Sequence, residues 1–195
     1  MRDDLRRRGL ALEYATLAWN VVGVGILAVA AWRSGSVALA GFGLDSLIEI
    51  FASVVVIWQL TDASAHSERQ ALRLIGGAFL LLALYVLLQS AVAWHTGARA
   101  APSIPGMAWL LATIVAMLSL AYGKRIVGRA LGSVVLLTES RVTLIDAALA
   151  GAVLLGVGAN TLFGWWWADP LAALVIVAYG IREGRAALRH AAAVQ

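Results

Sequence analysis

Long apolar segments, interrupted by short polar ones, run through this sequence. A helix of roughly 20 residues crosses a hydrocarbon core of ~30 Å, and six segments can be drawn as such helices. They cover residues 12–32, 36–60, 74–94, 104–122, 133–163 and 170–189. Tryptophan lies at predicted span ends, where its amphipathic ring suits the membrane interface: Trp32, Trp58, Trp94 and 165–167. The pattern predicts an all-α membrane protein in which residues 1–195 form one bundle of six transmembrane helices.

Composition favours a membrane protein over a soluble helical one. Hydrophobic residues make up 62% of the 195 residues and charged residues 13%, against about 45–50% and ~25% in a soluble domain. The first apolar run is too long for a signal peptide and carries Glu13 and Asn20. No cysteine is present, which excludes disulfides and thiolate metal sites. The pI of about 10.1 reflects basic residues at helix ends, so no nucleic-acid partner is expected.

Lysine and arginine are distributed unevenly between the two sets of loops. Twelve lie before span one, in the last part of span six, or in the loops that follow spans two and four, whereas the opposite set holds Arg33 and Arg99. Positive residues favour the cytoplasmic side. Both termini are therefore expected to face the cytoplasm, in a multi-pass protein of the cell (inner) membrane. Because the chain extends only a few residues beyond Arg189, no soluble C-terminal domain is expected.

Two acidic residues interrupt the second span. Asp45 and Glu49 are the only charges in residues 36–60, and their spacing of four places both carboxylates on one helix face. Each acid at bilayer depth costs roughly 2.5–3.5 kcal/mol on insertion scales, whereas each Leu or Val contributes only about 0.3–0.6. Carboxylates retained at this cost are typical of a cation or proton site.

Span five carries further intramembrane charges: Glu139, Arg141 and Asp146. Asp146 precedes a long apolar run and is expected to lie deep. Glu139 lies seven residues earlier, on the same face and two turns nearer the cytoplasm. We therefore predict that Asp146 joins Asp45 and Glu49 in a cation site. Glu139 either completes that site or pairs with Arg141 at the membrane interface.

Other polar residues support narrower predictions. Asn20 and Asn160 are interpreted as interhelical hydrogen-bonding residues rather than as ligands. His66 lies in a predicted cytoplasmic loop beside Asp62 and Glu68, either as a peripheral metal-access site or, as we favour, as a solvated side chain. No Walker motif, nucleotide fingerprint or HExxH motif is present. We therefore expect neither an enzyme nor an ATP-driven transporter. We also expect no permanent cofactor.

Three segments resemble the cation diffusion facilitator family, whose members are six-helix divalent-cation/proton antiporters. The second helix of that family resembles ALAGFGLDSLIEIFAS, the fifth resembles LLTESRVTLIDAALAG, and the start of the sixth resembles WWWADPLAALVIVAYGIREG. The resemblance implies that Asp45 and Glu49 are the first two metal ligands and that Asp146 is the last. Since relatives are homodimers, it also implies a homodimer.

The chain departs from the family pattern at two points. Val142 occupies the helix-five position that usually holds a histidine or aspartate ligand. The family's usual C-terminal cytoplasmic domain is not expected. The chain is most similar to the small branch without that domain, which includes animal vesicular zinc-efflux proteins.

The resemblance implies a transporter that exchanges a divalent metal ion for protons and exports Zn²⁺. Without an imidazole the ligands are all oxygen, which favours harder ions such as Mn²⁺ or Fe²⁺, and Co²⁺ is also a candidate. Two other interpretations stay open. One is a degenerate family member that binds metal or a partner without transport. The other is a structural protein whose protonated acids only form interhelical hydrogen bonds.

Overall fold

The computed structural model describes residues 2–61 and 65–193, with the side chains of 2–3, 52, 55–61, 65–71, 134–135 and 193 left aside. This part of the chain forms α-helices and no strand. The helices are α1 (Arg2–Ser34), α2 (Val37–Thr61), α3 (Ala65–Thr96), α4 (Ile104–Leu131), α5 (Val134–Phe163) and α6 (Ala168–Ala193). Each predicted span lies within one helix or begins one residue before it. Four helices, α1, α3, α4 and α5, contain described segments long and apolar enough to cross a membrane. The prediction of an all-α membrane protein is confirmed.

The bundle has an apolar core and an apolar exterior. One fully buried residue from each helix illustrates the core: Leu27, Phe42, Val86, Leu110, Val153 and Ile176. Large apolar side chains also cover the outside, among them Leu81 at 69% exposure and Leu155 at 76%. A water-soluble monomer rarely exposes so continuous an apolar surface. An exterior of this kind suits contact with lipid tails.

Glycines let two of the helices approach closely. α3 packs most extensively against α6, and the two run antiparallel through Gly76, Gly180 and Gly184. A Cβ atom added at Gly76 would lie 3.0 Å from the carbonyl oxygen of Gly184, and one at Gly180 would lie 3.1 Å from that of Phe79. Small residues at such positions allow backbone contact between membrane helices, where apolar burial alone provides no driving force.

Local signals in the sequence set the ends of the helices that carry the site. Ser133 caps α5 by accepting a hydrogen bond from the Leu136 amide. Glycine ends α4 and α5, at Gly132 (φ 65°) and Gly164 (φ 67°), in the left-handed conformation that other residues rarely adopt. Because α5 begins and ends at these positions, Asp146 lies near the middle of the helix, as predicted.

Candidate metal centre

Three carboxylates from two helices meet inside the bundle. Asp45 and Glu49 project from α2 and Asp146 from α5, with residue exposures of 0%, 7% and 1%. One oxygen from each side chain lies within 4.8 Å of the other two. The four-residue spacing on α2 brings both of its acids to the same face, and the contact between α2 and α5 adds the third.

Most of the carboxylate oxygens in this cluster lack a hydrogen-bond partner. Both oxygens of Asp45, both of Asp146 and Oε1 of Glu49 are buried and unpaired within the described part of the chain. Buried polar atoms are nearly always satisfied in proteins, and an exception calls for a ligand, an ion or water. Five such unpaired oxygens belong to three side chains that meet at one place, which makes the cluster a candidate cation site.

Asn20 contacts the cluster directly. Its Nδ2 donates a hydrogen bond of 3.1 Å to Oε2 of Glu49, and the Asn20 side chain is buried. The bond joins α1 to α2, which agrees with the prediction of an interhelical role. It also fixes one oxygen of Glu49 and leaves the other, Oε1, without a hydrogen-bond partner among the described residues.

The cluster has the dimensions of a small-ion site. Carboxylate oxygens bind Zn²⁺ at ~2.0–2.2 Å and Mg²⁺ at ~2.0–2.1 Å, which places neighbouring ligand oxygens roughly 3–4 Å apart. The observed upper limit of 4.8 Å is slightly wider, so small side-chain rotations would close the oxygens around an ion. Val142, the position where the resemblance predicts a further ligand, is half-buried and offers no donor atom.

Glu139 lies outside this group, and its partner is not Arg141. Lys124 of α4 is fully buried, and its Nζ lies 3.0 Å from Glu13 Oε2 and 3.7 Å from Glu139 Oε2. Nζ also donates to Thr143 Oγ1 at 3.2 Å. Arg141 is exposed. The predicted alternative of a Glu139–Arg141 pair is thus replaced by a buried ionic cluster. Lys124 lies two residues beyond the predicted end of span four, and the structure places it in α4.

A sequence signal for Lys124 existed. The buried face of α4 includes Met117, Ala121, Lys124 and Gly128, whose spacing of four, three and four residues is that of one helix face. Extending the apolar pattern of span four by two turns places Lys124 on that face. Its location close to a span end instead suggested a residue that sets orientation.

The remaining sequence-predicted residues lie apart from the three acids. Asn160 Nδ2 donates to the Ala100 carbonyl at 2.7 Å and so ties the end of α5 to the loop between α3 and α4. The side chain of His66 lies outside the described residues. Asp169 has a role that the sequence did not suggest. Its carboxylate accepts hydrogen bonds from the Ser36 hydroxyl and from the amide of Val37, at the start of the helix that carries Asp45 and Glu49.

Comparison with known proteins adds one observation. No family profile matches the chain. The sequence is similar to Transmembrane protein 163 of Xenopus laevis, with 26% identity over 197 residues, covering 92% of this chain and 67% of that protein. This similarity agrees with a membrane protein and extends across all six helices.

Proposed function

We propose that the protein is a divalent-cation/proton antiporter of the cation diffusion facilitator type, and that Asp45, Glu49 and Asp146 bind the transported ion. The observation that carries the proposal is the meeting of three buried carboxylates, five of whose oxygens are unpaired among the described residues. Intramembrane acids of this kind mark ion or proton pathways in membrane proteins. The resemblance of α2, α5 and the start of α6 to the family supports the same conclusion.

Charge explains why metal and protons would exchange at this site. Three ionised carboxylates bring a charge of −3, which a divalent ion more than half neutralises. When the ion leaves, the carboxylates repel one another in a medium of low dielectric, and proton uptake relieves that repulsion. Metal release at one membrane face is thereby coupled to proton binding, and an inward proton gradient drives export.

The donor set guides the choice of metal. All candidate ligands are oxygen atoms, and such ligands favour Mn²⁺, Fe²⁺ and Co²⁺. Sites that contain nitrogen ligands favour softer ions. Zn²⁺ also accepts carboxylates. The family likeness favours Zn²⁺. We propose that the transported ion belongs to this group of four.

The proposal includes an arrangement in the membrane. All six helices cross the bilayer, both termini face the cytoplasm of the cell (inner) membrane, and two copies associate as a homodimer. Basic residues at one set of helix ends support the orientation. Chemical crosslinking in native membranes tests the dimer.

Proteoliposome flux measurements test the function and the site together. Wild-type protein is compared with D45N/D146N and with D4N, a control that neutralises an exposed acid on α1. External Zn²⁺, Mn²⁺, Co²⁺ or Fe²⁺ is supplied, and metal and proton movements are recorded with separate dyes. We expect coupled fluxes from wild type and D4N and background flux from D45N/D146N. Equal flux from all three proteins would contradict the site.

The alternative of a binding protein without transport is favoured by Val142, which leaves the site one ligand short. It predicts saturable metal binding by wild type, lost in D45N/D146N, with no flux in either protein. The structural alternative needs hydrogen-bond partners for the acids, and the unpaired oxygens argue against it. It predicts that D45N/D146N changes neither binding nor flux.

A further inference from the structure

A second buried ionic cluster joins three helices near the three-carboxylate site. The ammonium group of Lys124 on α4 lies between Glu13 on α1 and Glu139 and Thr143 on α5. Lys124 and Glu13 are both fully buried. The sequence comparisons assign no role to this cluster, and nothing in the proposed metal site requires it.

Helices α1 and α5 each connect the ionic cluster to the three-carboxylate site across the same spacing. On α1, Glu13 pairs with Lys124 and Asn20, seven residues later, hydrogen-bonds Glu49. On α5, Glu139 approaches Lys124 and Asp146, also seven residues later, belongs to the three-acid site. Seven residues correspond to two helical turns, or ~10.5 Å. The ionic cluster therefore lies about two turns from the metal site, toward the end of the bundle where α1 and α5 begin and α4 ends.

We propose that Lys124, Glu13 and Glu139 form an ionic latch that closes this end of the bundle over the three-carboxylate site. The inference rests on the proposed transport function, since a transported ion must reach a site that is at most 7% exposed. The latch joins α1, α4 and α5. It lies between the three-carboxylate site and the end of the bundle where α1 and α5 begin and α4 ends. Opening a path along α5 requires these contacts to separate.

The latch has two limbs, the Lys124–Glu13 pair and the Lys124–Glu139 pair, which differ in length and in exposure. Lys124 contacts the fully buried Glu13 at 3.0 Å, whereas Glu139 lies at 3.7 Å and its side chain is 15% exposed. The Glu139 limb is thus the longer and the more accessible one. An entering cation competes with Lys124 for this carboxylate, and the limb opens while the Lys124–Glu13 pair holds α1 against α4.

The absence of native cysteine allows a direct test by thiol labelling. Ser140 lies next to Glu139, is buried, and donates to the Ala121 carbonyl across the α4–α5 contact. The S140C substitution places a thiol of similar size there. The labelling rate with a water-soluble methanethiosulfonate reagent in proteoliposomes then reports how often this contact opens.

A second thiol separates latch opening from general loosening. Ser90 of α3 is equally buried and has no hydrogen-bond partner among the described residues, so S90C disturbs little. It lies seven residues from the start of the loop at the opposite end of the bundle. Labelling of S90C is measured in every background used for S140C.

Three backgrounds distinguish a latch from a packing role. E139Q removes the exposed limb and keeps the Lys124–Glu13 pair. E13Q/K124M replaces the buried pair with uncharged groups of similar size, a change that often preserves stability. K124R keeps the charge. We expect about tenfold or greater acceleration of S140C labelling in E139Q and E13Q/K124M, unchanged S90C labelling, and a rate close to wild type in K124R.

Two results would overturn the latch. One is unchanged S140C labelling in E139Q and in E13Q/K124M when thermal unfolding shows both variants to be folded. The other is equal acceleration at S140C and S90C, which indicates general destabilisation. Metal binding by the wild-type protein is measured in parallel, and its absence would refute the proposed transport function independently of the labelling result.

Discussion

Glu49 uses its two carboxylate oxygens differently. Oε2 accepts the hydrogen bond from Asn20, and Oε1 is unpaired among the described groups. Partners that orient a metal ligand typically change metal affinity by about 10–100-fold when removed. We expect N20L to weaken metal binding by about tenfold or more, as measured by isothermal titration calorimetry. N160L, which breaks a hydrogen bond at the far end of α5, is the matched control and should leave the affinity unchanged. Equal effects of the two substitutions would refute a positioning role for Asn20.

Val142 offers a test of metal choice at a single position. It precedes Asp146 by four residues, so both lie on one face of α5. A histidine there would add a nitrogen ligand, which Zn²⁺ accepts more readily than Mn²⁺ does. V142H is expected to raise the Zn²⁺-to-Mn²⁺ affinity ratio by about tenfold or more, measured by competition binding. V142L controls for size. An unchanged ratio would place this side chain away from the bound ion.

The sequence indicated the three acids of the candidate site but not the buried lysine near them, Lys124. Asp45 and Glu49 were conspicuous because a carboxylate in a long apolar helix has a large and recognisable free-energy cost. Lys124 was not, because a lysine near a span end is the ordinary marker of membrane orientation. Only the three-dimensional contact with Glu13, 111 residues away in sequence, shows that this lysine faces inward. The pairing of distant charges cannot be read from local patterns.

At the scale of helices, Gly156 controls the contact of α5 with α6. A Cβ atom there would lie 2.3 Å from the Ala172 Cβ and 2.8 Å from the Ala168 carbonyl oxygen. G156A should therefore separate the helices and destabilise the protein by about 1–3 kcal/mol, seen as a lower thermal unfolding temperature in detergent. A172G, which removes the atom met first, should restore part of the loss in the double variant.

Gly151 supplies the matched control on the same helix. A Cβ added there meets nothing within 4 Å, and alanine favours a helix interior by about 0.5–1 kcal/mol over glycine. G151A is expected to leave stability unchanged or to raise it. A loss of stability in G151A as large as that in G156A would show that backbone conformation, and not the α5–α6 contact, explains the effect.

Helix positions were predicted better than helix lengths. The first span was expected at 12–32, yet α1 runs from Arg2 to Ser34, and α4 continues to Leu131, well past the expected end at 122. Apolar patterning detects the part of a helix that contacts lipid. Backbone hydrogen bonding continues into polar residues until a capping signal such as Gly132 ends the helix. The bundle was therefore predictable as an order of elements, and its polar extensions were not.

The whole molecule combines an apolar exterior with polar groups gathered inside. Described segments of α1, α3, α4 and α5 are apolar enough to cross a membrane by themselves. α2 carries the two site acids, and α6 ends in a polar, basic segment. Both pack against neighbouring helices, α2 against α1, α3, α5 and α6, and α6 against α2, α3 and α5. The proposed crossing of the bilayer by α2 fits these contacts, because a helix lying on the membrane surface could not bring Asp45 and Glu49 to Asp146.

The proposed six crossings would place both chain termini on one side of the membrane and the loop at residues 97–103 on the other. The distribution of positive residues favours the cytoplasm for the termini. In a bacterial host we expect green fluorescent protein to fluoresce when fused to either terminus, and alkaline phosphatase to be active when inserted into the 97–103 loop. The reciprocal fusions, phosphatase at the termini and fluorescent protein in the loop, serve as controls and should be inactive. Activity of phosphatase at one terminus alone would require an odd number of crossings and would contradict the proposed arrangement of six.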